Sequence, residues 1–266
     1  MPIVTEHPAG LRLERHGSAL HLVLDRPGSL NGLTTELMSV LADQIDQIEY
    51  DDGVRVLVLT GAGRAFSSGA DVSGMADADG AVRLDGTAID AANRLVLALR
   101  RVGKPVVAAV NGVAAGAGCS IALACDLVIA KSSAYFLMAF ANIGLMPDGG
   151  ATLLLPAAIG RARAMEMAML AEPIPSATAA DWGLINRVVA DDEFDSAVAG
   201  LTDRLASGPT LSYAALKRAI NDASLAALTA AVDRERAGQV ALLRTKDFSE
   251  GVSAFLERRR PDFSGR

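Results

Sequence analysis

The chain has 266 residues, of which 51% are hydrophobic and only 4% aromatic, so it can bury a core built mainly of Ala, Val, Leu and Ile. This composition argues against disorder over most of the chain and suits close packing of helices on a sheet. The formal net charge of −6 argues against a nucleic-acid duplex or an anionic membrane surface as the main partner.

The first predicted elements are two short strands at residues 11–15 and 19–25, which the turn His16-Gly17-Ser18 joins into a hairpin. All histidines of the chain lie in its first 21 residues. The remainder of the sequence therefore supplies no histidine for a catalytic triad or a metal site.

Helical and strand patterns alternate after the hairpin. Apolar residues recur at helical spacing through residues 34–50, and a buried type of strand follows at 54–59. The alternation continues through a helix at 88–101, a strand at 106–110, a short helix at 116–124, a strand at 127–130, helices at 157–170 and 176–182, and a strand at 185–189. This order predicts an α/β fold with a mostly parallel sheet. The segment 75–87, rich in Asp and Gly, is predicted to be a mobile loop.

The rest of the chain has a helical pattern, from residue 194 to residue 257, with Gly208-Pro209 as one clear break. Asp247, with Glu250 three residues later, resembles the cap at the start of the last helix. These helices are too many for one face of a sheet, so they are expected to cover a subunit interface or to close over the site. The sequence thus divides into residues 1–195 and residues 196–266.

The cysteines and the segment before residue 11 bear on cellular location. Cys119 and Cys125 lie in apolar runs without a CxxC pair, which predicts buried packing thiols in a reducing compartment and no metal site. Residues 1–10 lack the pattern of a secretory signal, and Asn111 and Asp126 interrupt the longest apolar stretch. We therefore expect a cytoplasmic protein without a membrane span.

Two segments rich in small residues are candidates for ligand binding. Residues 59–71 follow a strand, and their glycines permit backbone N–H groups to face a ligand, although a surface loop explains them equally well. Residues 110–119 end a strand and open a helix, whose N-terminus favours a developing negative oxygen. Tight packing of helix on sheet is the alternative for this second segment.

Asp148 is the one well-placed acidic residue in the segment 139–150. It lies among apolar neighbours, immediately before Gly149-Gly150 and a helix of Leu and Ala. Taken alone, it could serve as a cap of that helix or as an acid/base.

In combination, these segments closely resemble the crotonase (enoyl-CoA hydratase/isomerase) superfamily in order and spacing. The resemblance is carried by Leu24-Asp25-Arg26-Pro27, residues 66–71, Asn111-Gly112 with Gly116-Ala117-Gly118, and residues 143–150, and it extends through residues 179–185 to 255–263. It implies a spiral of ββα turns in residues 1–195. It also implies that the helical residues 196–266 form a homotrimer or a dimer of trimers.

The resemblance further implies an acyl-CoA thioester as the substrate, with no separate cofactor and no metal. Its carbonyl would lie between the N–H groups of Ala70 and Ala117. Coenzyme A would follow Ser68, Gly69, Ala70 and Asp71, with Arg258 or Arg259 of a neighbouring subunit near its phosphates.

The reaction is less specifically indicated. The two glutamates that family hydratases use correspond to Ser120 and Phe140, neither of which is an acid or base at neutral pH. Asp148 corresponds to the acidic residue of several family isomerases, and Phe140, Met138 and Leu145 would keep its pocket apolar and raise its pKa. The sequence predicts an isomerase acting between 3-enoyl-CoA and 2-enoyl-CoA, with a hydratase or a non-catalytic acyl-CoA-binding protein as alternatives.

Overall fold

The computed structural model describes residues 3–71 and 86–266, so most of the predicted mobile loop at 75–87 lies outside the described residues. Its strands are, in chain order, β1 (Ile3–His7), β2 (Leu11–His16), β3 (Ala19–Leu24), β4 (Val56–Gly61), β5 (Ala65–Ser67), β6 (Val106–Val110), β7 (Val113–Ala115), β8 (Leu127–Lys131), β9 (Tyr135–Leu137), β10 (Ile174–Pro175) and β11 (Arg187–Val189).

The helices are, in chain order, α1 (Thr35–Ile48), α2 (Thr87–Arg101), α3 (Ala117–Leu123), α4 (Ala151–Leu170), α5 (Ser176–Asp181), α6 (Phe194–Ala206), α7 (Thr210–Ser224), α8 (Leu228–Leu242) and α9 (Lys246–Leu256). Short 3₁₀ helices lie at Pro27–Ser29 and Ala139–Ile143. Among the described residues, no helix combines the length and apolar character that crossing a membrane requires.

The larger sheet has seven strands in the order β1-β2-β3-β4-β6-β8-β11. The predicted hairpin is confirmed, because β2 and β3 are antiparallel with Leu11 opposite Leu24 and His16 opposite Ala19. From β3 onward the neighbouring strands are parallel, as the alternation of elements predicted. β1 is the edge strand, and its mostly exposed residues gave no hydrophobic pattern.

A second sheet has four strands in the order β10-β9-β7-β5, and the sequence did not predict it. Its strands are only two or three residues long, too short for a period of two to be recognised. β5, β7 and β9 run parallel to one another. The units β4-β5-α2, β6-β7-α3 and β8-β9-α4 therefore repeat one plan, and the predicted spiral of ββα turns is confirmed.

The parallel strands are buried on both faces of the larger sheet. Along β4, Leu57 and Leu59 belong to the main core, whereas Val56 and Val58 belong to a second cluster together with Phe194 of α6. The alternation follows from the two-residue period of a strand, and burial on both sides explains the apolar sequence of β4.

The C-terminal helices pack on their own chain. α8 contacts α2 and α4, and α9 contacts the 3₁₀ helix Ala139–Ile143. These contacts place the helices against the core of their own chain. The predicted boundary after residue 195 falls in the first turn of α6, and assembly through residues 196–266 stays a prediction.

Two predicted helix starts are corrected. α4 begins at Ala151 rather than at residue 157, with Pro156 inside it and a kink at Gly160. α9 begins after Thr245, whose side chain accepts a hydrogen bond from the Phe248 N–H at 3.1 Å. The Asp247 carboxylate instead accepts from the N–H groups of the returning residues Ser264 and Gly265, at 2.7 and 2.8 Å.

Asn31 links the segment after β3 to the turn between β4 and β5. Its side chain is fully buried: Oδ1 accepts from the Arg26 N–H at 2.9 Å, and Nδ2 donates to the carbonyls of Ala62 and Ala65 at 2.9 and 2.8 Å. Its φ of 58° lies in the left-handed region, which asparagine adopts more readily than most residues. This single amide therefore fixes the approach to the first candidate binding segment.

We predict that Asn31→Ala lowers the free energy of unfolding by about 2–4 kcal/mol, because buried backbone groups lose their partners. Urea denaturation measures the change. Gln47→Ala removes an exposed amide from α1 and should change the free energy by no more than about 0.5 kcal/mol. Equal effects of the two substitutions would contradict the role given to Asn31.

Candidate active site

Each of the three ββα units contributes one segment to a common cavity. Ala70 follows β5, Ala117 begins α3 directly after β7, and Asp148 follows β9 and its 3₁₀ helix. Because β5, β7 and β9 are parallel, the segments that leave them lie at the same edge of the smaller sheet. All three residues line a cavity of about 640 Å³.

The backbone amides of Ala70 and Ala117 are available to a ligand. Ala70 is paired with Leu33 in a parallel bridge, in which Gly69 and Asp71 supply the hydrogen bonds to Leu33. Within the described residues, neither the Ala70 N–H nor the Ala117 N–H donates to a protein acceptor. Ala117 is the first residue of α3, where N–H groups have no partner in the helix.

The two turns that hold these amides are in contact. A Cβ atom placed on Gly69 would lie 2.8 Å from the Ala115 carbonyl oxygen and 3.4 Å from the Ala117 nitrogen. A side chain at position 69 would therefore enter the space between the turns. This proximity makes the pair suitable to stabilise one negative oxygen, as in an oxyanion hole.

Asp148 is buried, with 6% of its surface exposed. Its Oδ2 accepts a hydrogen bond from Gln239 Nε2 of α8 at 2.9 Å. Its Oδ1 is buried and has no hydrogen-bond partner among the described residues. The carboxyl group is thus held on one side only.

Asp148 does not cap α4, which excludes the structural alternative raised for it. The N-cap is Gly150, and the acceptor for this end of the helix is Glu235 of α8. Glu235 accepts from the Gly150 N–H at 2.7 Å, from the Thr152 N–H at 2.8 Å and from the Thr152 hydroxyl at 2.5 Å. Its position also suits the partial positive charge of a helix N-terminus.

The glycines after Asp148 permit this turn. Gly149 and Gly150 have φ values of 65° and 79°, in the left-handed region that favours glycine. A Cβ on Gly150 would also lie 2.8 Å from the Leu228 side chain. The Gly-Gly pair therefore lets the chain leave Asp148 in the cavity and enter α4 under α8.

The environment of Asp148 changes its acidity. Burial raises its pKa to about 7, the hydrogen bond from Gln239 acts in the opposite direction, and the negative charge of Glu235 raises the pKa further. Burial disfavours the charged form of a carboxyl group because it removes hydrating water. A carboxyl group with a pKa near neutrality can both accept and return a proton.

Most predicted substrate-binding residues line the same cavity: Ser68, Gly69, Ala70, Ala117, Phe140 and Leu145. Asp71 does not line it, because its carboxylate forms an ion pair with Arg26 at 2.8 Å. Met138 is fully buried in the core behind the cavity wall. Arg259 is paired with Glu250 and Glu257 of its own chain, and an approach of Arg258 or Arg259 to a neighbouring subunit's ligand stays a prediction.

Of the two positions that the resemblance matches to hydratase glutamates, Ser120 contacts Asp148 and Phe140 lines the same cavity. Ser120 Oγ is buried and donates to the Asp148 backbone carbonyl at 2.8 Å. Phe140 presents an apolar ring to the cavity. Asp148 is consequently the one carboxylate among the described residues that line this cavity.

Sequence reasoning missed Glu235 and Gln239. The buried residues of α8 recur at helical spacing, and these two polar residues occupy positions in that stripe: Leu228, Ala231, Val232, Glu235 and Gln239. A polar residue within an apolar stripe needs a buried partner, and this was the available signal. No group of three or more metal-binding side chains occurs within residues 3–71 and 86–266.

The repeating ββα turns, with a cavity at the ends of their strands, define a protein of the crotonase fold. The enoyl-CoA hydratase/isomerase family matches residues 14–266, and since this is almost the whole chain, the protein belongs to that family. The family assignment confirms the resemblance found in the sequence.

Similar proteins carry the names of different reactions. The 1,2-epoxyphenylacetyl-CoA isomerase of Escherichia coli (strain K12) is 44% identical over 247 residues, covering 92% of this chain and 94% of its own. A probable enoyl-CoA hydratase of Rhodobacter capsulatus is 42% identical over 245 residues, with coverage of 92% and 94%. The crystal structure of an enoyl-CoA hydratase from Mycobacterium avium subsp. paratuberculosis K-10 has a TM-score of 0.89 and 45% identity, covering 96% of this chain and 99% of that chain.

We predict that Glu235→Ala lowers the free energy of unfolding by about 2–4 kcal/mol, because the buried donors at the start of α4 lose their acceptor. Asp233→Ala is the matched control, since Asp233 lies on the exposed face of the same helix. The control should change stability by no more than about 0.5 kcal/mol. A small effect of both substitutions in urea denaturation would show that another group caps α4.

Proposed function

We propose that the protein is an enoyl-CoA isomerase that moves a double bond between 3-enoyl-CoA and 2-enoyl-CoA. The observation that carries this proposal is Asp148, which is the one carboxylate among the described residues that line the cavity. Its Oδ1 has no hydrogen-bond partner among those residues, and its pKa is raised to about 7. A single acid/base is sufficient for this reaction, because the proton that is removed is also returned.

The proposed reaction has two steps. The Asp148 carboxylate takes a proton from C2 of the 3-enoyl thioester, and the electron pair of that C–H bond moves toward the thioester oxygen to give a dienolate. The Asp148 carboxylic acid then returns the proton to C4: the C3–C4 π electrons form the new C–H bond, the C1–C2 π electrons of the dienolate become the C2–C3 double bond, and the thioester carbonyl is restored. No atom is gained or lost, and no oxidant or water is needed.

The amides of Ala70 and Ala117 make the first step feasible. The C2 proton of a thioester is far less acidic than a carboxylic acid, so the negative oxygen must be stabilised as it develops. A donor placed at such an oxygen contributes about 3–4 kcal/mol to the barrier reduction. Two backbone donors from separate turns, neither of which has an acceptor within residues 3–71 and 86–266, would supply this stabilisation.

Hydration receives less support from the site. It requires one group to deprotonate water and another to protonate carbon, whereas Ser120 beside Asp148 and Phe140 in the cavity wall are neither acids nor bases at neutral pH. The similarity to a 1,2-epoxyphenylacetyl-CoA isomerase supports the isomerase branch and makes ring-derived acyl groups reasonable substrates to test. The relatives named as hydratases favour hydration as the second candidate function.

Parallel assays separate the candidates. We expect 3-hexenoyl-CoA to be converted with an increase in the absorbance of the conjugated thioester, and crotonyl-CoA to be hydrated far more slowly, with a decrease in that absorbance. Rapid hydration of crotonyl-CoA would assign the hydratase function. Tight acyl-CoA binding without turnover of either substrate, or of ring-derived 3-enoyl thioesters, would indicate a binding protein.

We predict that Asp148→Asn lowers kcat for 3-hexenoyl-CoA by about 10²–10⁴, because an amide does not accept the C2 proton. The affinity for a saturated acyl-CoA should change little, since the two amides are unaffected. Asp233→Asn provides a control carboxylate, because Asp233 lies on the exposed face of α8. Turnover of Asp148→Asn at the parent rate would remove Asp148 from the mechanism.

We also predict that kcat/KM rises with pH through about 7 and then reaches a plateau. The base must be ionised in the free enzyme, and below this pKa the carboxyl group is protonated and inactive. Initial rates between pH 5 and 9 with 3-hexenoyl-CoA measure the midpoint. A kcat/KM that stays constant over this range would place the pKa of the base near 4, the usual value of an aspartate, and would contradict the effect of burial on Asp148.

A further inference from the structure

The face of α8 toward the cavity carries two buried polar residues one turn apart. Glu235 and Gln239 are 0% and 1% exposed. Glu235 is accounted for by its hydrogen bonds at the start of α4. Gln239, which lines the cavity, contacts the side chain of the proposed base itself.

The orientation of the Gln239 amide is fixed by its neighbours. The Met146 N–H faces Gln239 Oε1 at 3.4 Å, and a backbone N–H can only donate. The Nε2 group is thereby directed to Asp148 Oδ2 at 2.9 Å. If the amide were turned by 180°, Oε1 would face the acceptor Oδ2 of Asp148, and Nε2 would face the donor N–H of Met146.

This contact makes the two carboxylate oxygens unequal. Oδ2 gives part of its electron density to the Gln239 N–H, whereas Oδ1 is buried without a partner among the described residues. An oxygen without a hydrogen bond is the more basic of the two. The amide also restrains rotation of the carboxyl group about its bond to Cβ, which keeps Oδ1 in a fixed place.

We propose that Gln239 is a positioning residue that holds Oδ2 of Asp148 and so assigns proton transfer to Oδ1. The inference rests on the proposed isomerase function and deepens it. It gives α8, a helix from the C-terminal part of the chain, a direct part in the chemistry of a residue more than ninety positions earlier.

The hydrogen bond from Gln239 also lowers the pKa of Asp148, against the two effects that raise it. Burial and the charge of Glu235 favour the neutral acid, and the Gln239 N–H favours the carboxylate. The other described segments around this turn contribute uncharged groups: α3 contributes the Ser120 hydroxyl, which donates to the Asp148 carbonyl, and α2 contributes Val96 beside Gly149. Gln239 therefore keeps a fraction of Asp148 ionised at neutral pH.

Two substitutions at position 239 test the proposal. Gln239→Met has nearly the same volume and no donor, so the midpoint of the kcat/KM profile should move upward by about one to two pH units. At high pH, where the rate no longer changes, kcat of Gln239→Met should be lower than that of the parent by about 10-fold or more, with little change in KM, because the reactive oxygen is no longer held in place. Gln239→Glu places a second carboxyl group at Asp148 and should raise the midpoint further than Gln239→Met.

Leu243→Ala is the matched control, because Leu243 lies one turn beyond Gln239 and also lines the cavity. It should alter KM through the lost apolar contact and leave the pH midpoint where it is in the parent. If Gln239→Met is folded and shows the parent midpoint and plateau, Gln239 is a packing residue only and the proposal is wrong.

A readout without substrate separates this proposal from the proposed function. Because the folded pKa of Asp148 is raised, the free energy of unfolding should decrease as pH rises from about 4 to about 7 in the parent. In Gln239→Met the decrease should continue to a pH about one to two units higher. If Gln239→Met shows this extended decrease but the parent has no isomerase activity, the Gln239–Asp148 link stands and the proposed reaction is wrong. If the parent is active but Gln239→Met shows no extended decrease, only the link is wrong.

Discussion

The candidate site depends on the hydrogen bonds that α8 forms with Asp148 and with the start of α4. The segment Asp148-Gly149-Gly150 has no regular secondary structure. Its two glycines, which have positive φ values, would make its backbone flexible in an isolated chain. Glu235 supplies acceptors for the first N–H groups of α4, and Gln239 supplies a donor for Asp148. A residue desolvated enough to have a pKa of about 7 can stay in place only because these partners are built into a neighbouring helix.

The free-energy cost of burying the Asp148 carboxyl group is offset by apolar packing on α8. A buried carboxyl group is unfavourable for folding when one of its oxygens lacks a hydrogen-bond partner, as Asp148 Oδ1 does among the described residues. The apolar face of α8, including Leu228 and Val232, secures the helix to the core and compensates for the polar groups on the same face. Adjacent turns of one helix therefore hold the start of α4 and, in the proposed mechanism, the base, as is typical of sites that keep a desolvated group.

The sequence predicted the parts of the fold that depend on local pattern. The hairpin, the alternation of helices with parallel strands, and the segments around Ala70, Ala117 and Asp148 were recognisable because each is a contiguous run. The smaller sheet was missed because its strands have two or three residues. Glu235 and Gln239 were missed because their partners lie far away in sequence, and Asp247 was misjudged because residues near 265 capture its carboxylate.

The order of the ββα units has a further consequence for how such a protein can change. The groups suited to hold a thioester oxygen are main-chain atoms from the first two units, and no substitution removes a main-chain N–H except one to proline. The group suited to move protons is a side chain from the third unit. In the proposed mechanism, selection can therefore change the side chains at positions 148, 120 and 140 while the main-chain donors stay the same, which offers a physical basis for a family whose members are named both isomerases and hydratases.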